Sequence, residues 1–93
     1  MKTIKDYNQY IIDFNSINNG MQLVFKFDNY YGLSVVCHSF SYGNDDGLFE
    51  VAVIEFESDG TWNLTYDTDI TDDVLGEQSK EDVLSLIERV ILL

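Results

Sequence analysis

No lysine or arginine occurs between Phe27 and Ser79, a run of 53 residues that holds twelve Asp or Glu. This removes any basic groove from half the chain and, with a formal net charge of −12, argues against direct binding to nucleic acid or to anionic lipid. Proline is absent too, and with it one common mark of a domain boundary. Cys37 is the sole cysteine, so an intrachain disulfide and a metal site built on several thiolates are both excluded. Nowhere do eighteen apolar residues follow one another, and Met1–Tyr10 has no apolar run behind its two lysines. Neither a membrane span nor a signal peptide is expected, and cytoplasmic residence fits best.

What is present is apolar and aromatic. Hydrophobic residues make up 45% of the chain, with six Phe, six Tyr and one Trp, too many for a disordered acidic tail. Residues 1–93 read as a single domain, large enough for one modest core but not for a deep cavity between lobes. A binding surface is therefore expected rather than a substrate pocket. Self-repulsion of this charge opposes compaction over roughly 8–10 Å at physiological salt. Either the carboxylates serve only solubility or they meet a strongly basic partner.

Ile4, Tyr7, Ile11, Phe14 and Ile17 recur at three- and four-residue intervals, which predicts a helix over Lys5–Ser16. Its Asn-rich, β-branched composition is a poor helix former, and a strand at Tyr10–Phe14 is the alternative. From Met21 the period becomes two, predicting a half-buried strand to Phe27. Leu33–Tyr42 is apolar on both parities, as befits a strand inside a sheet. Leu48–Glu57 reads as the longest strand. A Ser58-Asp59-Gly60 loop with Gly60 left-handed would pair Phe56 with Trp62, Ile54 with Leu64 and Ala52 with Tyr66, keeping one face apolar. Ser79-Lys80-Glu81-Asp82 resembles a capping box ahead of Val83, Leu86, Ile87, Val90 and Ile91, which predicts an amphipathic C-terminal helix. Its stripe should cover Ile54, Phe56, Trp62 and Leu64. The expected class is α+β: a four-stranded antiparallel meander, an N-terminal helix, and a C-terminal helix packed on one face.

The chain offers little for catalysis. Cys37 and His38 are adjacent on an expected strand, so their side chains point to opposite faces and cannot act together. Asp67-Thr68-Asp69 lacks the glycine and the closing glutamate of a calcium loop, with Asp72 and Gln78 in those places. Glu50 shares the parity of Ala52 and Ile54 but falls at a strand end near solvent. The glycines have no phosphate-loop spacing. No catalytic residue, metal or cofactor is expected. The aromatic residues are without the basic groove of a single-strand binder and read as core.

The charge field remains. Carboxylates two apart on a strand, such as Glu55 and Glu57, lie roughly 6.6 Å apart, a phosphate-like spacing. Asp45, Asp46, Asp59, Asp67, Asp69, Asp72, Asp73 and Glu77 would extend the row around the sheet's rim. Phe49, Val51 and Val53 share the outward parity of Glu55, leaving an apolar patch for the N-terminal helix or a second subunit to cover. A homodimer through that patch is expected.

The acidic chain, with Tyr7-Asn8-Gln9-Tyr10, the run Tyr31-Gly32-Leu33-Ser34-Val35-Val36, Ser41-Tyr42-Gly43, and Gly47-Leu48-Phe49-Glu50-Val51-Ala52-Val53, resembles small phage-encoded proteins. By length and charge it resembles the anti-restriction nuclease (Arn) proteins of T-even bacteriophages. The resemblance implies an early phage product in the host cytoplasm, a dimeric DNA mimic that occupies the DNA-binding surface of a host defence protein, the modification-dependent restriction endonuclease McrBC. Basic nucleoid proteins are further candidate partners of such a field. The alternative is an acidic adaptor that binds its partner through the apolar Phe49–Val53 patch while the carboxylates only solubilise.

Overall fold

The computed structural model describes residues 3–17, 20–37, 49–68, 70 and 74–93. A 3₁₀ helix, Ile4–Tyr10, leads into strands β1 (Ile11–Ile17), β2 (Gly20–Lys26), β3 (Tyr31–Cys37), β4 (Phe49–Phe56), β5 (Trp62–Leu64) and β6 (Leu75–Gln78), and then helix α1 (Lys80–Ile91). The class is α+β, as expected, but among the described residues the antiparallel sheet has six strands rather than four. Strands β1 to β5 follow one another across it. β6 pairs with β4 alongside Phe49 and Val51, whereas β5 pairs with β4 at Ile54–Phe56. β5 and β6 are thus two pieces of one edge.

The expected helix over Lys5–Ser16 is corrected to one short 3₁₀ helix and a strand. In the 3₁₀ helix, a three-residue repeat places Ile4 and Tyr7 on one side, and the Asp6 carboxylate accepts from the Thr3 N–H at 2.7 Å. β1 then carries a bulge between Ile11 and Asp13, so that Ile11 opposes Phe25 and Phe14 opposes Leu23. A bulge inserts one residue and inverts parity, which brings Ile11 and Phe14 to the same face although they are three apart. Those two irregularities imitate a helical period. Ile11 and Ile12 give the strand β-branched side chains that suit it.

The β4–β5 hairpin has the expected register at Phe56–Trp62 and Ile54–Leu64. The Glu57 N–H donates to the Thr61 carbonyl at 2.8 Å, and Gly60 is left-handed at φ 92°. β5 ends at Leu64, so Ala52 and Tyr66 are not paired as expected; the Thr65 N–H donates to Val53 instead. Further on, Ser79 and Asp82 cap α1 reciprocally, Ser79 N to Asp82 Oδ2 at 2.9 Å and Asp82 N to Ser79 Oγ at 3.1 Å.

α1 covers the sheet face opposite to the expected one. Val83, Leu86, Ile87 and Val90 pack in one core with Phe25, Phe27, Leu33, Val35, Val51 and Val53, joined by Tyr7 from the 3₁₀ helix. Val51 and Val53 are 0% and 2% exposed, and Phe49 is half-buried against the same core. The expected Phe49, Val51 and Val53 docking patch is therefore interior. The other face holds a smaller cluster of Val24, Ile54 and Phe56 with Trp62 against it. Its middle strands carry Gly32, Ser34, Gln22 and Lys26, where the α1 side carries Leu33, Val35, Leu23 and Phe25. A helix gains most by burying the face with the larger apolar groups. On the other face a polar ladder crosses three strands, Asn15 Nδ2 to Gln22 Oε1 at 3.1 Å and Gln22 Nε2 to Ser34 Oγ at 2.9 Å.

Candidate acidic binding surface

Two hairpins of the same design end side by side. In the β2–β3 turn the Phe27 N–H donates to the Tyr31 carbonyl at 2.8 Å, as Glu57 does to Thr61 in the β4–β5 turn. The left-handed position is Tyr30, at φ 67°, in one and Gly60 in the other. An amide or carboxylate oxygen fixes each turn: Asn29 Oδ1 accepts from Tyr31 N at 3.0 Å, and Asp59 Oδ1 accepts from Thr61 N at 3.0 Å and from Thr61 Oγ1 at 2.7 Å. Antiparallel pairing of Tyr31 with Glu55 brings both tips to one end of the sheet, and the Phe56 N–H ties them by donating to the Tyr30 carbonyl at 2.7 Å.

Asp28, Glu55, Glu57 and Asp59 are all exposed at this end. Hydrogen bonds from the Thr61 hydroxyl and then the Thr61 N–H lower the pKa of the Asp59 carboxyl from its ordinary value. Asp28, outside the row of acids expected from the sequence, shares a corner with Glu55, Glu57 and Asp59. The signal that could have placed it there is the strand order: adjacent antiparallel hairpins put alternate turns at the same end.

The row continues along the outer edge of the sheet. Asp67, three residues past the end of β5, is exposed, and so is Glu77 on β6. Glu77 sits between the partners of Val51 and Phe49, roughly 17 Å along β4 from the level of Glu55 at 3.3 Å per residue. Its φ of 55° belongs to the bulge by which β6 spends three residue steps against two of β4. Asp45, Asp46, Asp69, Asp72 and Asp73 lie outside the described residues.

Charge is unevenly distributed across the sheet. β1, at the opposite edge some 19 Å away at 4.8 Å per strand, carries Asp13 as its single charged residue and presents Ile12 and Phe14, 50% and 65% exposed. α1 is of mixed sign, with Lys80 and Arg89 among Glu81, Asp82 and Glu88. Lys26, on the face away from α1, packs its ammonium 5.2 Å from the Tyr30 ring centre and 5.4 Å from that of Phe56. Among the described residues no group of three or more His, Cys, Asp or Glu is placed to hold a metal ion, and no helix is long and apolar enough to cross a membrane. Cys37, at the end of β3, is half-buried; His38 lies outside the described residues.

No family model, curated protein or solved structure matches this chain.

Proposed function

We propose that this chain is a DNA-mimic inhibitor: it presents the hairpin corner of Asp28, Glu55, Glu57 and Asp59, continued by Asp67 and Glu77, to the DNA-binding surface of a basic host protein. One observation carries the reading: these exposed acids gather on one end and one edge of the sheet, within a 53-residue stretch free of bases, while the far edge is nearly neutral. A surface whose carboxylates served only solubility would gain nothing from that segregation. The resemblance to phage anti-restriction nuclease proteins makes McrBC the first partner to test, with basic nucleoid proteins next.

A homodimer belongs to the same proposal, with its contact moved from the interior Phe49–Val53 segment to the β1 edge. Two copies of a chain of charge −12 meet at least cost where each is least charged, and unpaired strand edges join readily by antiparallel addition. The exposed Ile12 and Phe14 supply apolar area there.

The test is a competition assay in which the chain displaces duplex DNA from the purified endonuclease. Inhibition should weaken steeply between 50 and about 300 mM salt, as expected of contacts built on charge. Reversing Glu55, Glu57 and Asp59 to Lys should abolish it. Inhibition that survives the reversal, or DNA-independent binding insensitive to salt, would sink the mimicry. An apolar adaptor would instead lose its partner on Phe14→Asp and keep it on neutralising the acids.

A further inference from the structure

Asp59 and Gly60 stand at the tip of the β4–β5 hairpin, and both are exposed. Nothing lies within 4 Å of where a Gly60 Cβ would be, so water reaches this peptide bond freely. An aspartate followed by glycine is the step at which a backbone nitrogen most easily attacks the side chain before it, because glycine has no Cβ to crowd that nitrogen. The Gly60 nitrogen would bond to Asp59 Cγ, and the carboxyl OH would leave with the amide hydrogen as water, closing a succinimide ring. A second water then reopens the ring. Opening at Cγ restores aspartate; opening at the main-chain carbonyl leaves isoaspartate, with the chain now running through Cβ and Cγ and no net change in composition. Two contacts oppose the closure. Asp59 Oδ1 accepts from Thr61 N at 3.0 Å and from Thr61 Oγ1 at 2.7 Å, which ties the carboxyl to the residue beyond the attacking nitrogen. The hydrogen that nitrogen must lose is itself donated to the Glu57 carbonyl at 3.1 Å. Both Thr61 bonds also favour the carboxylate over the carboxylic acid, and it is the acid whose OH leaves.

We infer that Asp59–Gly60 is a latent isoaspartate site, which the folded hairpin keeps closed by holding the carboxyl on Thr61 and the amide hydrogen on Glu57. The inference does not depend on what the acidic corner binds. Local opening of the turn releases both groups at once, so the modification reports how often this tip comes apart. Its consequence is structural. An isoaspartate lengthens the loop backbone by one atom and moves the free carboxylate onto Cα, so the Asp59 to Thr61 contacts cannot form as they stand.

The test is to keep the full chain warm at neutral pH for weeks, folded in buffer or unfolded in guanidinium chloride, and to follow isoaspartate with time. Chymotryptic cleavage after Phe56 and Trp62 releases Glu57–Trp62, in which Asp59 is the only aspartate; the two isomers separate by chromatography, and isoaspartyl methyltransferase labels the product. Isoaspartate at Asp59 should accumulate in the unfolded chain and at least about tenfold more slowly in the folded one, the factor that a hydrogen bond to a charged group is worth. Thr61→Val, still folded by circular dichroism, should speed the folded rate at least about threefold and leave the unfolded rate unchanged. Thr61→Ser, which keeps the hydroxyl, should stay near the wild-type rate, and this separates the hydrogen bond from a general loosening of the turn. Equal rates in the folded and unfolded wild type, no acceleration in Thr61→Val, or equal acceleration in Thr61→Ser would each overturn the assignment.

Discussion

The Asn29 side chain holds the β2–β3 turn and the end of α1 together. Its amide nitrogen donates to the carbonyls of Val90 at 2.8 Å, Ile91 at 3.2 Å and Leu93 at 3.3 Å, while its oxygen accepts from Tyr31. The Val90 carbonyl also accepts from the Leu93 N–H at 3.1 Å, and carbonyls of the last turn form the negative end of the helix dipole. Asn29→Ala should cost about 1–2 kcal/mol. Asn29→Asp should cost more, about 2–3 kcal/mol at pH 7, because a carboxylate would face those oxygens. The repulsion raises the folded-state pKa of the introduced acid, so the variant's deficit relative to wild type should shrink as pH falls through that pKa; urea melts at pH 7 and pH 4.5 would show it. Asp59 titrates in the opposite sense. Its pKa is lowered by Thr61, so its contribution is complete above the unfolded-state pKa and is lost as pH falls through the folded one. Thr61→Val should bring the Asp59 carboxyl back toward its ordinary value, read by carboxyl ¹³C titration. Backbone strain separates two further residues. Glu77 and Tyr30 both have positive φ, at about 1–2 kcal/mol each. Glu77→Gly should stabilise by about 1 kcal/mol, since Glu77 is exposed and glycine relieves the strain. Tyr30→Gly should be nearly neutral, because it also removes the ring beneath the Lys26 ammonium, an interaction worth about 0.5–1 kcal/mol.

At the scale of elements, β3 and β4 decide how the layers stack, and Gly32 is where they tolerate least change. A Cβ there would lie 1.9 Å from the Phe25 carbonyl oxygen and 2.9 Å from a Phe56 ring carbon. The first neighbour is backbone and cannot rotate away. Gly32→Ala should therefore destabilise by about 3 kcal/mol or more, whereas Gly76→Ala, with nothing within 4 Å of its Cβ, should change stability by less than about 0.5 kcal/mol; thermal melts of the two variants make the comparison. Much of this layer was legible in the chain. The Ser58–Gly60 loop could be read because only one register kept Phe56, Ile54, Trp62 and Leu64 on a common face, and Gly60 supplied the left-handed residue that register needs. α1 could be read from its capping box and stripe. What misled was local: a 3₁₀ turn and a bulge at Ile11–Asp13 reproduce helical spacing, and no periodicity count separates the two. The side chosen by α1 was hidden because β4 is apolar on both faces, Val51 and Val53 against Ala52, Ile54 and Phe56. The deciding signal lay on β3, where Gly32 and Ser34 alternate with Leu33 and Val35. β6 was missed because Leu75-Gly76-Glu77-Gln78 has one apolar residue and a glycine, and its pairing is imposed by the uncovered edge of β4 rather than by propensity. The acidic corner was only half legible. Glu55, Glu57 and Asp59 follow from the hairpin, but Asp28 joins them only once the strand order is known.

For the whole molecule, the acids that would recognise a partner also strain the free chain. Two carboxylates 10 Å apart repel by about 0.4 kcal/mol in water, and Glu55 and Glu57 are closer than that. No base lies between Phe27 and Ser79 to offset them along the chain. Replacing Glu55, Glu57 and Glu77 by Gln and Asp67 by Asn leaves the Asp59–Thr61 hydrogen bonds intact and removes four charges, all from exposed positions. At 10 mM salt, where the Debye length is about 30 Å, the repulsions removed should sum to about 1–2 kcal/mol of added stability. At 1 M salt the length falls to about 3 Å and the gain should nearly vanish, so urea melts of variant and wild type at the two salt concentrations measure the electrostatic share. Solubility alone would be satisfied by carboxylates spread evenly over the surface, at greater mean separation and lower repulsive cost. If the same four neutralisations raise stability at low salt and abolish displacement of DNA from a basic partner, the clustering that costs the free chain stability is the feature the partner reads. If they raise stability and leave displacement intact, the acidic edge is not the contact, and the weakly charged β1 edge with Ile12 and Phe14 becomes the surface through which this chain acts.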